Sequence, residues 1–208
     1  MLEKIVYFDE RLFLIINNGL RSPFGDIFLG YSTWLGDGVV LFPLSLILAF
    51  IFDRPHFKRN AVLISITLLL GGLISSCLKD YFDRMRPLAK FGGWKESGLW
   101  HSGPNEKFTI MFKPFMYNSF PSGHCAAIFG VATIVSFLYR RLTGLMFLLG
   151  FIVMLSRIYV GVHFPLDTVG GAVIGTLTGL VVFKSYLALL PSISKLWGDA
   201  GAVKRTRL

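Results

Sequence analysis

The segment from Ser156 to Asp167 reads Ser-Arg-Ile-Tyr-Val-Gly-Val-His-Phe-Pro-Leu-Asp and lies in a run, residues 142–183, that is otherwise apolar or small. Within this run, the only residues with charge chemistry near neutral pH are Arg157, His163 and Asp167. A charge at membrane depth costs about 2.5–3.5 kcal/mol on insertion scales. Three such groups close together therefore indicate a functional site rather than an ordinary helix.

We expect the chain to turn between Arg157 and His163. Residues at this separation lie on different faces of an ideal helix, and Pro165 supplies a break. One helix is predicted to end near Arg157 and the next to begin near Pro165, with His163 in the elbow between them. Asp167 then falls in the first turn of the second helix, within reach of the imidazole. A carboxylate beside a histidine fixes its tautomer and stabilises its charged form.

The composition predicts a membrane protein. The chain has 208 residues, of which 53% are hydrophobic and only 16% are charged. This is too apolar for a soluble domain of this size and predicts an all-α, polytopic transmembrane helical bundle embedded in the lipid bilayer. The length suits one domain over residues 1–208. We interpret the net charge of +9 as cytoplasmic anchors and contacts to an anionic substrate, and expect no nucleic-acid partner.

About five spanning helices and one interfacial helix are predicted along the chain. Residues 1–23 carry both signs of charge among apolar residues, which favours an interfacial amphipathic helix over a poorly ordered tail. This segment also lacks the features of a cleaved signal peptide. The predicted spans are residues 27–52, 61–78, 121–139, 142–160 and 166–190. A long extracytoplasmic loop is expected over residues 88–120.

The distribution of basic residues predicts the orientation. Lys and Arg are concentrated in the loops 53–60 and 140–141 and at the C-terminus, which alternation of five spans places on one side. The positive-inside rule makes that side cytoplasmic. The loop 79–121 and the elbow 157–167 then share the outer side of the membrane.

The polar clusters on the outer side provide cations and a helix N-terminus. Lys79, Arg86 and Arg157 are the cations, and Ser122-Gly123 opens a helix after a proline. Helix N-termini bind anions, and arginine forks suit the oxygens of phosphate. These features predict a binding site for a tetrahedral oxyanion, and phosphate is the favoured one.

Two histidines accompany this binding site. His124 lies at the start of the third span and His163 in the elbow, so we expect one to act as a nucleophile and the other as a general acid. No cluster of carboxylates or histidines has the spacing of a metal site, and neither a metal nor another cofactor is expected.

Three spaced motifs resemble the signature of the type-2 phosphatidic acid phosphatase superfamily. They are Lys79–six residues–Arg86-Pro87, Pro121-Ser-Gly-His124, and Ser156-Arg157–five residues–His163–three residues–Asp167. The resemblance implies metal-independent dephosphorylation of a membrane lipid phosphate through a phosphohistidine.

The resemblance also implies a role for each motif residue. His163 would attack phosphorus, and Asp167 would hold and polarise the His163 imidazole. His124 would protonate the leaving oxygen and then activate water. The phosphoryl oxygens would be bound by Lys79, Arg86, Ser122, the Gly123 N–H and Arg157.

The resemblance further implies a bacterial inner-membrane enzyme with a periplasmic site. Lipid A 1-phosphate and undecaprenyl pyrophosphate are the favoured substrates, and phosphatidylglycerophosphate and phosphatidate are alternatives. Two other classes compete with this function. A vanadium haloperoxidase would share the pocket, but those proteins are soluble, and an anion- or lipid-binding carrier would need the cations without the histidines.

Several further residues receive local interpretations. Asp37 is expected to be a solvated helix end, with a brace for the site as the alternative. Asp80, Asp83 and Arg84 are interpreted as another solvated helix end. The run Gly170-Gly171 with Gly175 predicts close packing of the last span.

Overall fold

The computed structural model describes residues 2–91, 95–97, 100–102, 109–110 and 116–196, and the side chains of residues 3–91 and 116–191. The α-helices are α1 (Leu2–Gly19), α2 (Pro23–Ser32), α3 (Gly38–Phe52), α4 (Phe57–Phe82), α5 (Pro87–Phe91), α6 (Gly123–Leu138), α7 (Thr143–Tyr159) and α8 (Pro165–Leu196). Short 3-10 helices cover Thr33–Gly36, Arg54–His56 and Arg140–Leu142.

The helices confirm the predicted all-α membrane bundle. Three stretches, Arg54–Phe91, Arg140–Tyr159 and Pro165–Pro191, are long and apolar enough to cross a membrane. The predicted first span is broken: Pro23–Gly36 and Gly38–Phe52 pass the same test only together and are bent by 76°. The break falls at Asp37, whose carboxylate accepts the Val39 N–H at 2.8 Å and thereby caps α3.

Helix α6 lies in the centre of the bundle and is shorter than the span predicted over residues 121–139. It has 16 residues, ten of them buried, and a length of about 24 Å at 1.5 Å per residue. It packs against α4, α7 and α8. Because α6 is enclosed by other helices, its N-terminal end is presented to protein groups rather than to lipid.

Close approach of α6 and α8 depends on glycines, as the sequence predicted. A Cβ atom at Gly171 would lie 2.3 Å from the Ser122 carbonyl oxygen, and one at Gly175 would lie 2.2 Å from that of Ala126. Gly179 continues this stripe one turn further, where a Cβ would lie 2.8 Å from Thr133 Cβ. Backbone meets backbone along this contact, so no side chain can rotate away to make room.

Replacement of Gly175 by alanine is expected to destabilise the protein by about 1–3 kcal/mol, the usual cost of overpacking. Gly72→Ala in α4 is the matched control, because nothing lies within 4 Å of a Cβ there. Thermal unfolding in detergent should show a lower midpoint for Gly175→Ala and little change for Gly72→Ala. Equal midpoints for the two variants would contradict the close contact.

The predicted long loop contains regular structure. Besides α5, three short strands form an antiparallel sheet in the order β1-β2-β3, with β1 at Lys95–Ser97, β2 at Trp100–Ser102 and β3 at Thr109–Ile110. The predicted basic tail at the C-terminus lies outside the described residues.

Helix α1 confirms the predicted N-terminal helix and shows that one of its faces is buried. Asp9, Phe13 and Asn17 are almost inaccessible to solvent. They follow each other at intervals of four residues, which places them on one face. This face packs on α7 and α8, so α1 is part of the tertiary structure as well as an amphipathic surface helix.

Candidate active site

The N-terminus of α6 forms one wall of the site. Ser122 is its N-cap, but the serine side chain makes no capping hydrogen bond, and the first N–H groups of a helix lack intrahelical partners. The Lys79 ammonium lies over this end, since a Cβ at Gly123 would be 3.6 Å from Lys79 Nζ. A cation and a helix N-terminus thus face the same space.

Arg157 forms a second wall from the last turn of α7. Its Nη1 donates to Thr33 Oγ1 at 2.5 Å, which holds the guanidinium in place. Its Nε is buried and has no hydrogen-bond partner among the described residues. An unsatisfied buried donor costs about 1–3 kcal/mol, so this atom is suited to an anion that enters the site.

Arg86 lies beyond the end of α4 and is held by the segment that leads into α6. Its Nε donates to the Tyr117 carbonyl at 3.0 Å, and its backbone N–H donates to the Met116 carbonyl at 3.0 Å. The guanidinium is mostly buried. These bonds anchor the second arginine of the site to the end of the long connection.

The His124 imidazole lies at the centre of this charge. It lies within electrostatic range of Arg157, His163, Lys79 and Arg86. The five side chains therefore share one site, although they come from α4, α6, α7 and two connections. Asp37 Oδ2 lies 3.8 Å from His124 Nε2. The alternative interpretation of Asp37 thus gains geometric support, since this residue both caps α3 and faces the site.

His163 occupies the elbow between α7 and α8, as predicted, and is 2% exposed. Its Nδ1 is 3.6 Å from Asp167 Oδ2, slightly beyond hydrogen-bond distance. Burial lowers the pKa of His163 to about 3, against the opposing effect of Asp167. The imidazole is therefore neutral at pH 7, which is the form that can attack an electrophile.

Ser119 connects His163 with Asp167, and no sequence pattern indicated this residue. Its Oγ donates to Asp167 Oδ2 at 2.5 Å and lies 3.5 Å from His163 Nδ1. The Ser119 N–H donates to the Arg84 carbonyl at 2.9 Å. The serine reaches the site only because the segment before α6 folds back over the elbow.

Asp167 is tied to both histidine-bearing segments. Its Oδ2 accepts the Phe164 N–H at 2.9 Å, next to His163 in the chain. Its backbone carbonyl accepts the Ser122 N–H at 2.9 Å, next to the start of α6. One residue therefore fixes the position of the elbow relative to the helix that carries His124.

The interpretation of Arg84 as part of a solvated helix end is wrong. Asp83 adopts a left-handed conformation with φ of 37° and ends α4, after which the chain turns inward. Arg84 Nη1 then donates to Asp167 Oδ1 at 2.5 Å, and its Nη2 donates to Asp9 Oδ2 at 2.6 Å. Asp80 and Asp83 are exposed, as predicted.

The arrangement can bind a tetrahedral oxyanion between three cations and a helix N-terminus, with two imidazoles beside it. Within residues 3–91 and 116–191, no group of three or more His, Cys, Asp or Glu side chains is placed to hold a metal ion.

Comparison with known proteins points to one family. The PAP2 superfamily matches residues 60–190. Over its whole length, the chain is 27% identical to a lipid A 4'-phosphatase of Bacteroides thetaiotaomicron, covering 91% of that protein. A shorter match, to the bacitracin transport permease protein BcrC of Bacillus licheniformis, is 46% identical over 67 residues and spans 32% of each chain.

A solved structure agrees with this comparison. The crystal structure of Aquifex aeolicus LpxE superposes with a TM-score of 0.67 at 34% identity, covering 84% of this chain and 93% of that one. The family match covers more than half of the chain and includes all of α6 and α7 and most of α4 and α8, the helices that carry the site. The chain belongs to the PAP2 superfamily.

Proposed function

We propose that this protein dephosphorylates a membrane lipid phosphate or pyrophosphate of the bacterial envelope. The observation that carries this proposal is that Lys79 lies over the N-terminus of α6, within electrostatic range of Arg86 and Arg157, with an unpaired buried donor on Arg157. A phosphoryl group would satisfy this donor and neutralise the cations. Family membership supports the same reaction class.

We assign the first chemical step to His163. The neutral imidazole attacks phosphorus, the bond to the leaving oxygen breaks, and a phosphohistidine forms. The bound anionic phosphate offsets the cations around His124, so that its imidazolium donates a proton to the leaving oxygen, and Asp167 stabilises the positive charge that develops on His163.

In the second step, His124 acts as a base. It removes a proton from a water molecule, whose oxygen attacks phosphorus. The bond from phosphorus to His163 breaks, and inorganic phosphate leaves. During both steps, Lys79, Arg86, Arg157, Ser122 and the Gly123 N–H stabilise the phosphoryl oxygens, which is the role that these motif positions have in the resemblance.

The substrate enters from the membrane in this proposal. The site lies at the outer ends of the predicted spans, and the basic loops at 53–60 and 140–141 orient it away from the cytoplasm. We therefore place the enzyme in the inner membrane with a periplasmic site that lipid headgroups reach laterally. The residues 1–208 would act as one membrane-embedded phosphatase domain.

The substrate class is a phosphorylated envelope lipid. The full-length similarity to a protein named lipid A 4'-phosphatase supports a lipid A phosphate. Undecaprenyl pyrophosphate is the other substrate favoured by the sequence, and phosphatidylglycerophosphate and phosphatidate complete the set to be assayed.

A panel of defined lipid phosphates tests this function. We expect phosphate release in detergent from lipid A 1- or 4'-phosphate or from undecaprenyl pyrophosphate, at least about 10-fold faster than from a soluble phosphate ester, since binding energy from the lipid contributes to catalysis. Release should persist with a chelator present, because the cations perform the charge stabilisation that Mg²⁺ performs elsewhere. Absence of release from every lipid would refute the function. Loss in the chelator that Mg²⁺ restores would refute metal independence.

A carrier function is a second candidate, because a short stretch is similar to a protein named as a transport permease. A carrier requires the cations but no nucleophile. Binding and transport should then survive His163→Ala, and the wild-type protein should release no phosphate.

A further inference from the structure

Helix α1 lies along the elbow that carries His163. Its three buried residues, Asp9, Phe13 and Asn17, span about 12 Å at 1.5 Å per residue. Asn17 contacts the end of α7, Phe13 contacts the elbow, and Asp9 contacts the start of α8. The PAP2 match begins at residue 60, so it assigns no role to this helix.

The first contact holds the end of α7. Asn17 Nδ2 donates to the Tyr159 carbonyl at 2.7 Å and to the Ile158 carbonyl at 3.3 Å. The last carbonyls of a helix lack intrahelical partners. Asn17 donates to two of them, of which the Ile158 carbonyl also accepts the Gly161 N–H at 3.0 Å, and it thereby holds the point where the chain leaves α7 for the elbow.

The second contact holds the elbow itself. The Phe13 ring packs edge-on against Phe164 with centroids 5.3 Å apart, and Phe164 follows His163 directly. The Arg84 guanidinium covers the same Phe164 ring at 4.6 Å. The residue next to the nucleophile is thus enclosed by α1 and by Arg84.

The third contact reaches the start of α8. Asp9 Oδ1 accepts the Leu166 N–H at 2.8 Å, which is a capping interaction from another helix. Asp9 Oδ2 accepts from Arg84 Nη2 at 2.6 Å, while Arg84 Nη1 donates to Asp167 Oδ1 at 2.5 Å. One guanidinium therefore bridges two buried carboxylates, and only the second of them adjoins His163.

Sharing of Arg84 affects the electrostatics of the site. A cation paired with one carboxylate neutralises it, whereas here the charge of Arg84 is divided between Asp9 and Asp167. Asp167 thereby keeps negative charge that can stabilise the imidazolium of the phosphohistidine step. The bond to Asp9 also fixes one end of the guanidinium whose other end contacts Asp167.

We propose that Asp9 is a positioning residue of the active site, which acts on His163 through Arg84 and Asp167, and that α1 is therefore part of the catalytic unit. This inference rests on the proposed phosphatase function.

The test compares Asp9→Asn with Glu10→Gln. Both variants remove one acid from the same helix, but Glu10 pairs with exposed Lys90 at 3.3 Å and does not reach Arg84. For Asp9→Asn we expect kcat per folded enzyme to fall about 10- to 100-fold, as when an outer-shell orienting group is lost, with KM changed by less than about 2-fold. Glu10→Gln should retain wild-type values. A kcat for Asp9→Asn equal to that of Glu10→Gln would overturn the proposal.

A second variant covers the case in which Asp9→Asn does not fold. Arg84→Lys keeps the charge, but one ammonium cannot span both carboxylates, so kcat should fall to a similar extent. In the double variant, Asp9→Asn should lower kcat by less than about 2-fold beyond the loss in Arg84→Lys alone, because both substitutions act through the same Arg84 bridge. Wild-type kcat in Arg84→Lys, or fully multiplicative losses, would overturn the proposal. Wild-type enzyme is assayed in parallel, so that failure of the Asp9 proposal can be distinguished from failure of the proposed phosphatase function. If the wild type releases no phosphate, it is the phosphatase function that is refuted.

Discussion

His163→Ala is expected to lower kcat at least about 10⁴-fold, because the variant has no atom to accept the phosphoryl group. Substrate binding should change little, since the cations and the α6 N-terminus that bind the phosphoryl oxygens remain. Rapid-quench measurement with a ³²P-labelled lipid should trap an acid-labile phosphoenzyme in the wild type and none in the variant.

His56→Ala is the matched control for this experiment. His56 lies on the opposite, basic side of the bundle and pairs with Asp53 at 2.7 Å. Its replacement should leave both turnover and phosphoenzyme formation intact. Ordinary turnover in His163→Ala, or a labelled phosphoenzyme that persists there, would remove His163 from the role of nucleophile.

Arg157→Lys is expected to lower kcat/KM about 10²- to 10³-fold, the range seen when one preorganised donor to a transition-state oxyanion is lost. The guanidinium can donate to Thr33 with Nη1 while its Nε stays available for a phosphoryl oxygen. A single ammonium cannot keep the buried contact to Thr33 and bind the substrate in the same geometry. Steady-state phosphate release measures the change.

Arg141→Lys is the matched control for Arg157→Lys, because Arg141 is exposed at the opposite end of the bundle. Thermal unfolding of both variants reveals whether the buried substitution also affects stability. Near-normal kcat/KM in Arg157→Lys would show that this arginine does not bind the phosphoryl group.

Most of the helices could be predicted from local sequence. Long apolar runs separated by charged loops predict spans, since each run must be buried or face lipid wherever it lies in the fold. The break at Pro165 and the position of His163 in the elbow were also predictable from local sequence, because proline restricts the backbone of its immediate neighbours. The bend in the first span was missed, because Asp37 caps α3 through a hydrogen bond that hydropathy does not reveal.

The site was predicted in part. The three motifs and the orientation rule led to Lys79, Arg86, His124, Arg157 and His163, which the structure brings together. Ser119 and Arg84 were not identified as site residues, since each reaches Asp167 from a distant part of the chain.

What the sequence by itself determined is the membrane bundle, the order of its helices and the types of side chain that its motifs bring to the candidate site. These follow from hydropathy, proline and charge, which act locally. Only the tertiary structure decided that α1 packs on the elbow and that Arg84 joins Asp9 to Asp167. Such contacts depend on which polar groups become buried opposite one another. A buried carboxylate must accept hydrogen bonds, and only the fold determines which donors lie within reach of it.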